Sequence, residues 1–180
     1  MTLAVCFAAK CIPLLIQQNV DGTNFFNRSW AEFKVGFNNT KGNYWLGNDL
    51  LSQLTLNGRY KLRIDLQANN DTWYYAEYSS IVVMNEASNY QLRVSGYSGN
   101  VGHDAIAVGG QTEMMFTTYD RDNDLWADNC AVYYGGGFWY FTCGHCHINA
   151  AGRRFSWYLS HDLSKGNLPL QSSRMWLMCP

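Results

Sequence analysis

Tyr60-Lys61-Leu62-Arg63-Ile64-Asp65-Leu66-Gln67 alternates apolar and polar side chains without a break. A period of two places Tyr60, Leu62, Ile64 and Leu66 on one face and the four polar residues on the other, the pattern of a half-buried strand. The turn dipeptide Asn57-Gly58 precedes it, and the polar turn Asn69-Asn70-Asp71 follows. Two strand-like runs come next, Thr72 to Tyr78 and Ile81 to Met84, and then Tyr90, Leu92 and Val94 alternate with Gln91, Arg93 and Ser95. Short alternating runs separated by tight turns predict an antiparallel meander.

On the N-terminal side two short helices are expected. Trp30, Phe33 and Phe37 recur near helical spacing, with Asn27 or Ser29 available as the cap and Gly36 near the end. A second helix fits Asn48 to Thr55. On the C-terminal side the pattern breaks, because Gly96, Gly99, Gly102, Gly109 and Gly110 interrupt any long element. Loops carried by a rigid sheet are where function concentrates, and this half holds the densest acidic cluster and most of the cysteines.

Composition sets outer bounds. The 180 residues are 47% hydrophobic, 16% aromatic and 15% charged, too apolar for disorder, and no apolar run approaches the length of a membrane span. A formal charge of −1 provides no general field for nucleic acid or acidic membranes. Six cysteines, with acceptor sequons at Asn27-Arg28-Ser29, Asn38-Asn39-Thr40 and Asn70-Asp71-Thr72, point to an oxidising, extracellular setting and a glycoprotein. The apolar stretch Leu3 to Ala9 is too short for a signal peptide and lacks a basic flank, so it reads as an incomplete start.

Two clusters carry chemistry. Asp120-Arg121-Asp122-Asn123-Asp124-Leu125-Trp126-Ala127-Asp128 offers several hard oxygens to one point, as Ca²⁺ requires. It is not an EF-hand: counted from Asp120, position six is Leu125 rather than Gly and position twelve is Ala131 rather than Glu. At this level a calcium loop of another kind and a solvated acidic turn with Arg121 as partial counter-ion both stand. The second cluster, Cys143-Gly144-His145-Cys146-His147, admits a redox pair, a haem attachment or a zinc site. A redox pair would open a long helix, whereas Phe138-Trp139-Tyr140-Phe141 leads into an irregular, glycine-bearing segment; zinc would need a second ligand pair with convincing spacing. A structural half-cystine with histidines lining a loop is the simpler reading. Cys130, across the turn Gly135-Gly136-Gly137, is its natural partner, and a loop of that size closed by a disulfide is worth ~3 kcal/mol.

Ordered motifs then carry a resemblance. They are Asp21-Gly22 with Phe26-Asn27-Arg28-Ser29-Trp30, Tyr44-Trp45-Leu46-Gly47-Asn48-Asp49, Leu62-Arg63-Ile64-Asp65-Leu66 and Ala76-Glu77-Tyr78-Ser79-Ser80. Ser95-Gly96-Tyr97-Ser98-Gly99, Asp120 to Asp124, Asn129-Cys130-Ala131 and Phe138-Trp139-Tyr140 continue the series. From about Ile16 to Pro180 the chain resembles the fibrinogen C-terminal-like domain, the module of fibrinogen, ficolins, tachylectin-type lectins, tenascins and angiopoietins. The resemblance implies an α+β fold with a central antiparallel sheet, short helices and a loop-rich, calcium-binding C-terminal subdomain. It implies a disulfide between Cys130 and Cys143. It implies a Ca²⁺ site made by the side chains of Asp122 and Asp124 and the backbone carbonyls of Trp126 and Asp128, with Asp120 outside it.

In lectin members a pocket beside this site holds an acetyl group. Its counterparts here are Tyr134, Tyr140 and a cis peptide at Thr142-Cys143; where the family places a His after the second Cys stands Gly144, leaving His145 and His147 as the nearby imidazoles. Phe155, Trp157 and Tyr158 are candidates for the remaining walls. Met1 to Leu15 do not match the usual N-terminal subdomain, so residues 1–15 are set apart from a domain spanning 16–180. Cys6, Cys11, Cys146 and Cys179 have no family partners, which leaves interchain linkage, a local bridge or free thiols open. The expectation is a secreted, non-enzymatic recognition domain for acetylated carbohydrate. The alternative is a protein-receptor or matrix module, and a thiol-disulfide oxidoreductase through Cys143 and Cys146 is the third reading. Useful avidity would need homo-oligomerisation through upstream segments or the extra cysteines.

Overall fold

A computed structural model describes residues 12–107, 113–160 and 162–179. Cys6, Cys11, Gly109 and Gly110, named above, lie outside them. Strand β4 (Lys61–Ala68) has the burial alternation that its sequence requires, with Leu62, Ile64 and Leu66 fully buried. The two runs that follow are one long strand, β5 (Trp73–Val83), and β6 (Leu92–Gly99) and the short β7 (Glu113–Met114) complete the meander. The apolar faces of these strands form one side of the core.

The centre of the sheet is not in the meander. Strands β1 (Leu14–Asn19) and β12 (Asn167–Met178), from opposite ends of the described chain, pair antiparallel, and β12 also pairs β4. With β2 (Phe37–Asn38) and β3 (Tyr44–Trp45), the order across the sheet is β2-β3-β1-β12-β4-β5-β6-β7. A side branch, β10 (Cys146–His147) and β11 (Ser156–Tyr158), attaches to the first part of β12. A separate two-stranded ladder, β8 (Phe116–Thr117) with β9 (Phe138–Trp139), brackets the acidic loop.

Helix α1 (Trp30–Val35) starts at a reciprocal cap: Ser29 Oγ accepts from Glu32 N, and the Glu32 carboxylate accepts from Ser29 N at 2.9 Å. It ends at Gly36, so Phe37 lies beyond it in β2. Helix α2 (Asn48–Thr55) begins after Gly47. The backbones cross closely at these glycines, since a Cβ on Gly36 would sit 2.5 Å from Leu46 O and one on Gly47 2.8 Å from the Val35 backbone. Helix α3 (Cys130–Tyr134) is one turn, capped by Asn129 and closed by Gly135 in the left-handed region.

Helix α1, strand β3 and the β8–β9 ladder meet in an aromatic cluster centred on Phe116. Its ring lies 5.0 Å from Phe33, 5.1 Å from Trp139, 5.8 Å from Trp45 and 6.2 Å from Trp30, in tilted or edge-on geometry. Phe116→Ala opens a cavity that these rings cannot collapse into, and is expected to cost about 3–5 kcal/mol in urea unfolding at neutral pH. A loss below about 1 kcal/mol would mean that the ladder is not part of the cooperative core.

Candidate functional site

The acidic loop leaves β8 and is divided by its partners into a structural half and an open half. Asp120 Oδ1 accepts from Trp30 N at the start of α1 (2.9 Å) and from Thr118 Oγ1 (2.7 Å). Arg121 turns the same way, donating to Asn89 Oδ1 at 2.7 Å with its guanidinium 4.0 Å from the Trp30 ring centroid. Asn123 holds the loop to β8 through Phe116 O (2.7 Å) and Thr117 Oγ1 (3.1 Å). Asn129 Nδ2 returns to Thr118 O at 2.9 Å.

Asp122 and Asp124 are left facing each other, Asp122 Oδ1 accepting from Asp124 N at 3.2 Å. Asp124 also accepts from Trp126 N (2.9 Å) and Cys130 N (3.0 Å). Burial pushes the Asp124 carboxyl above its usual range; the two backbone N–H groups pull it back, and the charge of Asp122 adds to the rise. The cation expected beside this pair as a solvated turn's counter-ion, Arg121, is drawn to Asn89 and Trp30. Two hard carboxylates in mutual repulsion, next to a loop rich in carbonyls, fit a Ca²⁺ donor set. No group of three or more His, Cys, Asp or Glu converges among the described residues, so carbonyls and water would supply the remaining oxygens. Trp126 and Asp128, the expected carbonyl donors, are on the exposed side of the loop.

The far end of the loop is tied to a cleft. Cys130 and Cys143 are disulfide-bonded with Cα atoms 5.2 Å apart, and Leu125 N donates to Phe141 O at 2.7 Å. The cleft, about 280 Å³, is lined by Tyr134, Thr142, Cys143, Gly144 and His145, among the residues singled out by sequence. Its other walls include Ala105, Ile106, Met114 and Tyr158. Only Tyr158 of these was a candidate; Phe155 and Trp157 are core residues, 2% and 0% exposed. Ala105, Ile106 and Met114 come from segments with no chemical motif, and no local signal in the sequence marks them.

Three expectations need correction. The Thr142-Cys143 peptide is trans; instead Cys143 and Gly144 take positive φ in succession, 67° and 68°. A Cβ at Gly144 would meet nothing within 4 Å, so the cleft is open there. Tyr140 and His147 do not line the cleft, because each is 1% exposed and packed behind it. Tyr140 donates its hydroxyl to Gly136 O at 2.9 Å. The His147 ring stacks under Tyr134 at 3.8 Å and 12°, and neither ring nitrogen has a hydrogen-bond partner.

Burial holds these groups neutral. The Tyr134 phenol is pushed up to about 12, chiefly by burial, and the His147 imidazole down to about 3. Cys146 is a free thiol, 4% exposed, and burial pushes it far up. With Cys143 committed to Cys130, the Cys143–Cys146 redox pair does not form. Cys179 is disulfide-bonded.

His147 provides a pH test. Its folded pKa, about 3, lies below the free value of 6.5, so the unfolded chain binds the proton more readily. The contribution is intact above pH 6.5 and is lost as pH falls towards 3. Between pH 7 and pH 5 this linkage removes about 2 kcal/mol. His147→Phe keeps a stacking ring and is expected to flatten the stability profile over that interval by the same amount, read by urea unfolding at each pH. An unchanged profile would place the imidazole in water in the folded state.

Residues 12–166 match the family described as fibrinogen beta and gamma chains, C-terminal globular domain. The chain is 44% identical over 149 residues to the rat fibrinogen alpha chain, covering 76% of this chain and 19% of that one. It is 36% identical over 136 residues to human ficolin-3, covering 76% and 45%, and 42% identical over 126 residues to human angiopoietin-related protein 1, covering 70% and 25%. It thus spans less than half the length of these relatives. Among solved structures, the fibrinogen-like globe domain of human ANGPTL2 superposes with a TM-score of 0.80 at 32% identity, over 93% of this chain and 80% of that one. Lamprey fibrin D-dimer complexed with the peptide Gly-His-Arg-Pro-amide superposes at 0.71 and 27% identity, over 91% and 60%. No helix among the described residues is long and apolar enough to cross a membrane. The chain belongs to the fibrinogen C-terminal domain family and has its fibrinogen-like globe fold.

Proposed function

We propose that this domain is a secreted, non-enzymatic recognition module whose cleft takes a small neutral group, of the N-acetyl kind, from a glycan on a microbial or cell surface. The observation that carries the reading is the covalent and hydrogen-bonded tie between the acidic loop and the cleft wall, through Cys130–Cys143 and Leu125 N to Phe141 O. Ordering of one therefore orders the other. Asp122 and Asp124, with the carbonyls of Trp126 and Asp128, would hold Ca²⁺, which supplies fixed positive charge to the loop.

Tyr134 and Tyr158 present aromatic surface to an acetyl methyl, and the Tyr134 phenol, neutral at physiological pH, has a hydroxyl to offer. Cys143 and Gly144, in left-handed conformation, turn the backbone at the cleft wall, and His145 lines it. Such a group buries little area, so affinity per site is weak and function depends on several copies. The similarity to ficolin-3, the six cysteines and the Cys130–Cys143 disulfide support the reading of a secreted, lectin-like module.

A second reading, a protein or peptide receptor site, is favoured by the open space at Gly144 and by the peptide-bound lamprey neighbour. The two separate on resin. Retention on immobilised N-acetylglucosamine but not glucosamine, abolished by chelator and by Asp122→Asn/Asp124→Asn, is the expected outcome for the glycan reading. A folded, Ca²⁺-stabilised protein that is not retained would overturn it in favour of the protein-ligand reading.

A further inference from the structure

Two histidines outside the acidic loop meet at the cleft wall. His103, in the segment after β6, and His145, in the turn between the two cysteines, bring Nε2 and Nδ1 to 3.1 Å. Separate residues of β11 pin the two backbones: Trp157 Nε1 donates to His103 O at 3.2 Å, and Tyr158 N donates to His145 O at 3.0 Å. The turn that carries His103 is anchored again by Asp104, whose carboxylate accepts from Ala107 N (2.9 Å) and the Tyr78 hydroxyl (2.6 Å). His103 is 6% exposed, and His145 lines the cleft. The pair is built from both sides.

We propose that His103 Nε2 and His145 Nδ1 form a binding site for a transition-metal cation of the Zn²⁺ class on the cleft wall, separate from the acidic loop. Two imidazole nitrogens bound to one tetrahedral zinc at its usual bond length lie about 3.3 Å apart, so the existing separation is close to that of a shared ion, and the rings need to turn their lone pairs toward it. In the metal-free pair one ring donates its N–H to the other. On binding, the proton shared in the N–H···N contact leaves the two facing nitrogens, and each then presents a lone pair to the ion.

Imidazole suits zinc-type ions, whereas Ca²⁺ takes oxygen ligands, so the two sites select different cations. No third His, Cys or carboxylate converges with the pair among the described residues. Two imidazoles supply part of a zinc coordination shell, and water or an oxygen donor entering the cleft can take other positions. This inference does not depend on the cleft accepting an acetyl group.

The test is calorimetric titration with ZnCl₂ of chelator-stripped protein returned to saturating Ca²⁺. One Zn²⁺ per chain is expected, with affinity reduced at least tenfold in His103→Ala and in His145→Ala and unchanged in Asp122→Asn. No binding by the wild type, wild-type affinity in either histidine variant, or loss in Asp122→Asn overturns the proposal. Should a histidine variant fail to fold, imidazole ¹⁵N spectra of the wild type decide: Zn²⁺ must shift the ring nitrogens of both His103 and His145. Shifts that spare either ring overturn it.

Discussion

The side-chain amide of Gln17 is buried at the centre of the molecule, and the loop-built half of the domain hangs from it. Its nitrogen lies 3.0 Å from Asn149 Oδ1, 3.0 Å from Ser173 Oγ and 3.3 Å from Ile148 O. Asn19, on the same strand, donates to Ile148 O at 3.0 Å, and Asn149 donates to Gly137 O at 2.9 Å. All of these side chains are fully buried. An irregular segment cannot satisfy its own backbone as a ladder does, so the carbonyls of 137 and 148 need donors, and β1 and its partners provide them. The cleft walls at 142–146 and the stack under Tyr134 are placed by this anchorage, because Asn149 O also sets the close approach of Gly136.

A second constraint acts on the acidic loop. Asp120 and Arg121 are spent on α1 and Asn89, which fixes the loop's entry and removes the one cation adjacent in sequence from the remaining carboxylates. Cys130 and Leu125 fix its exit against the cleft. Between them, Asn123 is held to β8 and Asp124 accepts from two backbone N–H groups, while Asp122 lies beside Asp124 with Arg121 turned away. Positioning at both ends, with two neighbouring carboxylates between, is what the calcium reading proposed above builds on.

Much of the sheet could be read in advance because local pattern and burial agree there. Lys61 to Ala68 alternates in sequence and in burial, and Asn48–Thr55 is the helix that its spacing predicts. Strand β12 escaped because it does not alternate cleanly. Pro169 interrupts it, a bulge shifts the register between Leu170 and Ser172, and Ser172 and Ser173 are buried polar residues at core positions. Those serines make sense only beside Gln67 and Gln17, which lie far away in sequence. The Cys130–Cys143 bridge and the carboxylate pair were legible through family motifs. The trans peptide at Thr142-Cys143, the withdrawal of Tyr140 and His147 behind the cleft, and the His103–His145 contact were not, since each depends on how β10 and β11 seat against the rest.

His147 shows where stability has been given up for something else. A ring with two unpartnered nitrogens inside the protein costs roughly 1–3 kcal/mol per polar group, and a phenylalanine would fill the same stack without that penalty. Packing alone therefore does not account for an imidazole there. What distinguishes the position is its neighbours: the ring supports Tyr134 face to face, meets Tyr158 edge-on at 5.8 Å, and lies near enough to His145 for that ring to oppose protonation of His147. Two residues of the cleft wall, Tyr134 and Tyr158, thus pack on a ring that burial keeps neutral well below its free pKa. Water reaching His147 would satisfy its nitrogens but weaken the stack under Tyr134, so hydration and packing pull on this ring in opposite directions.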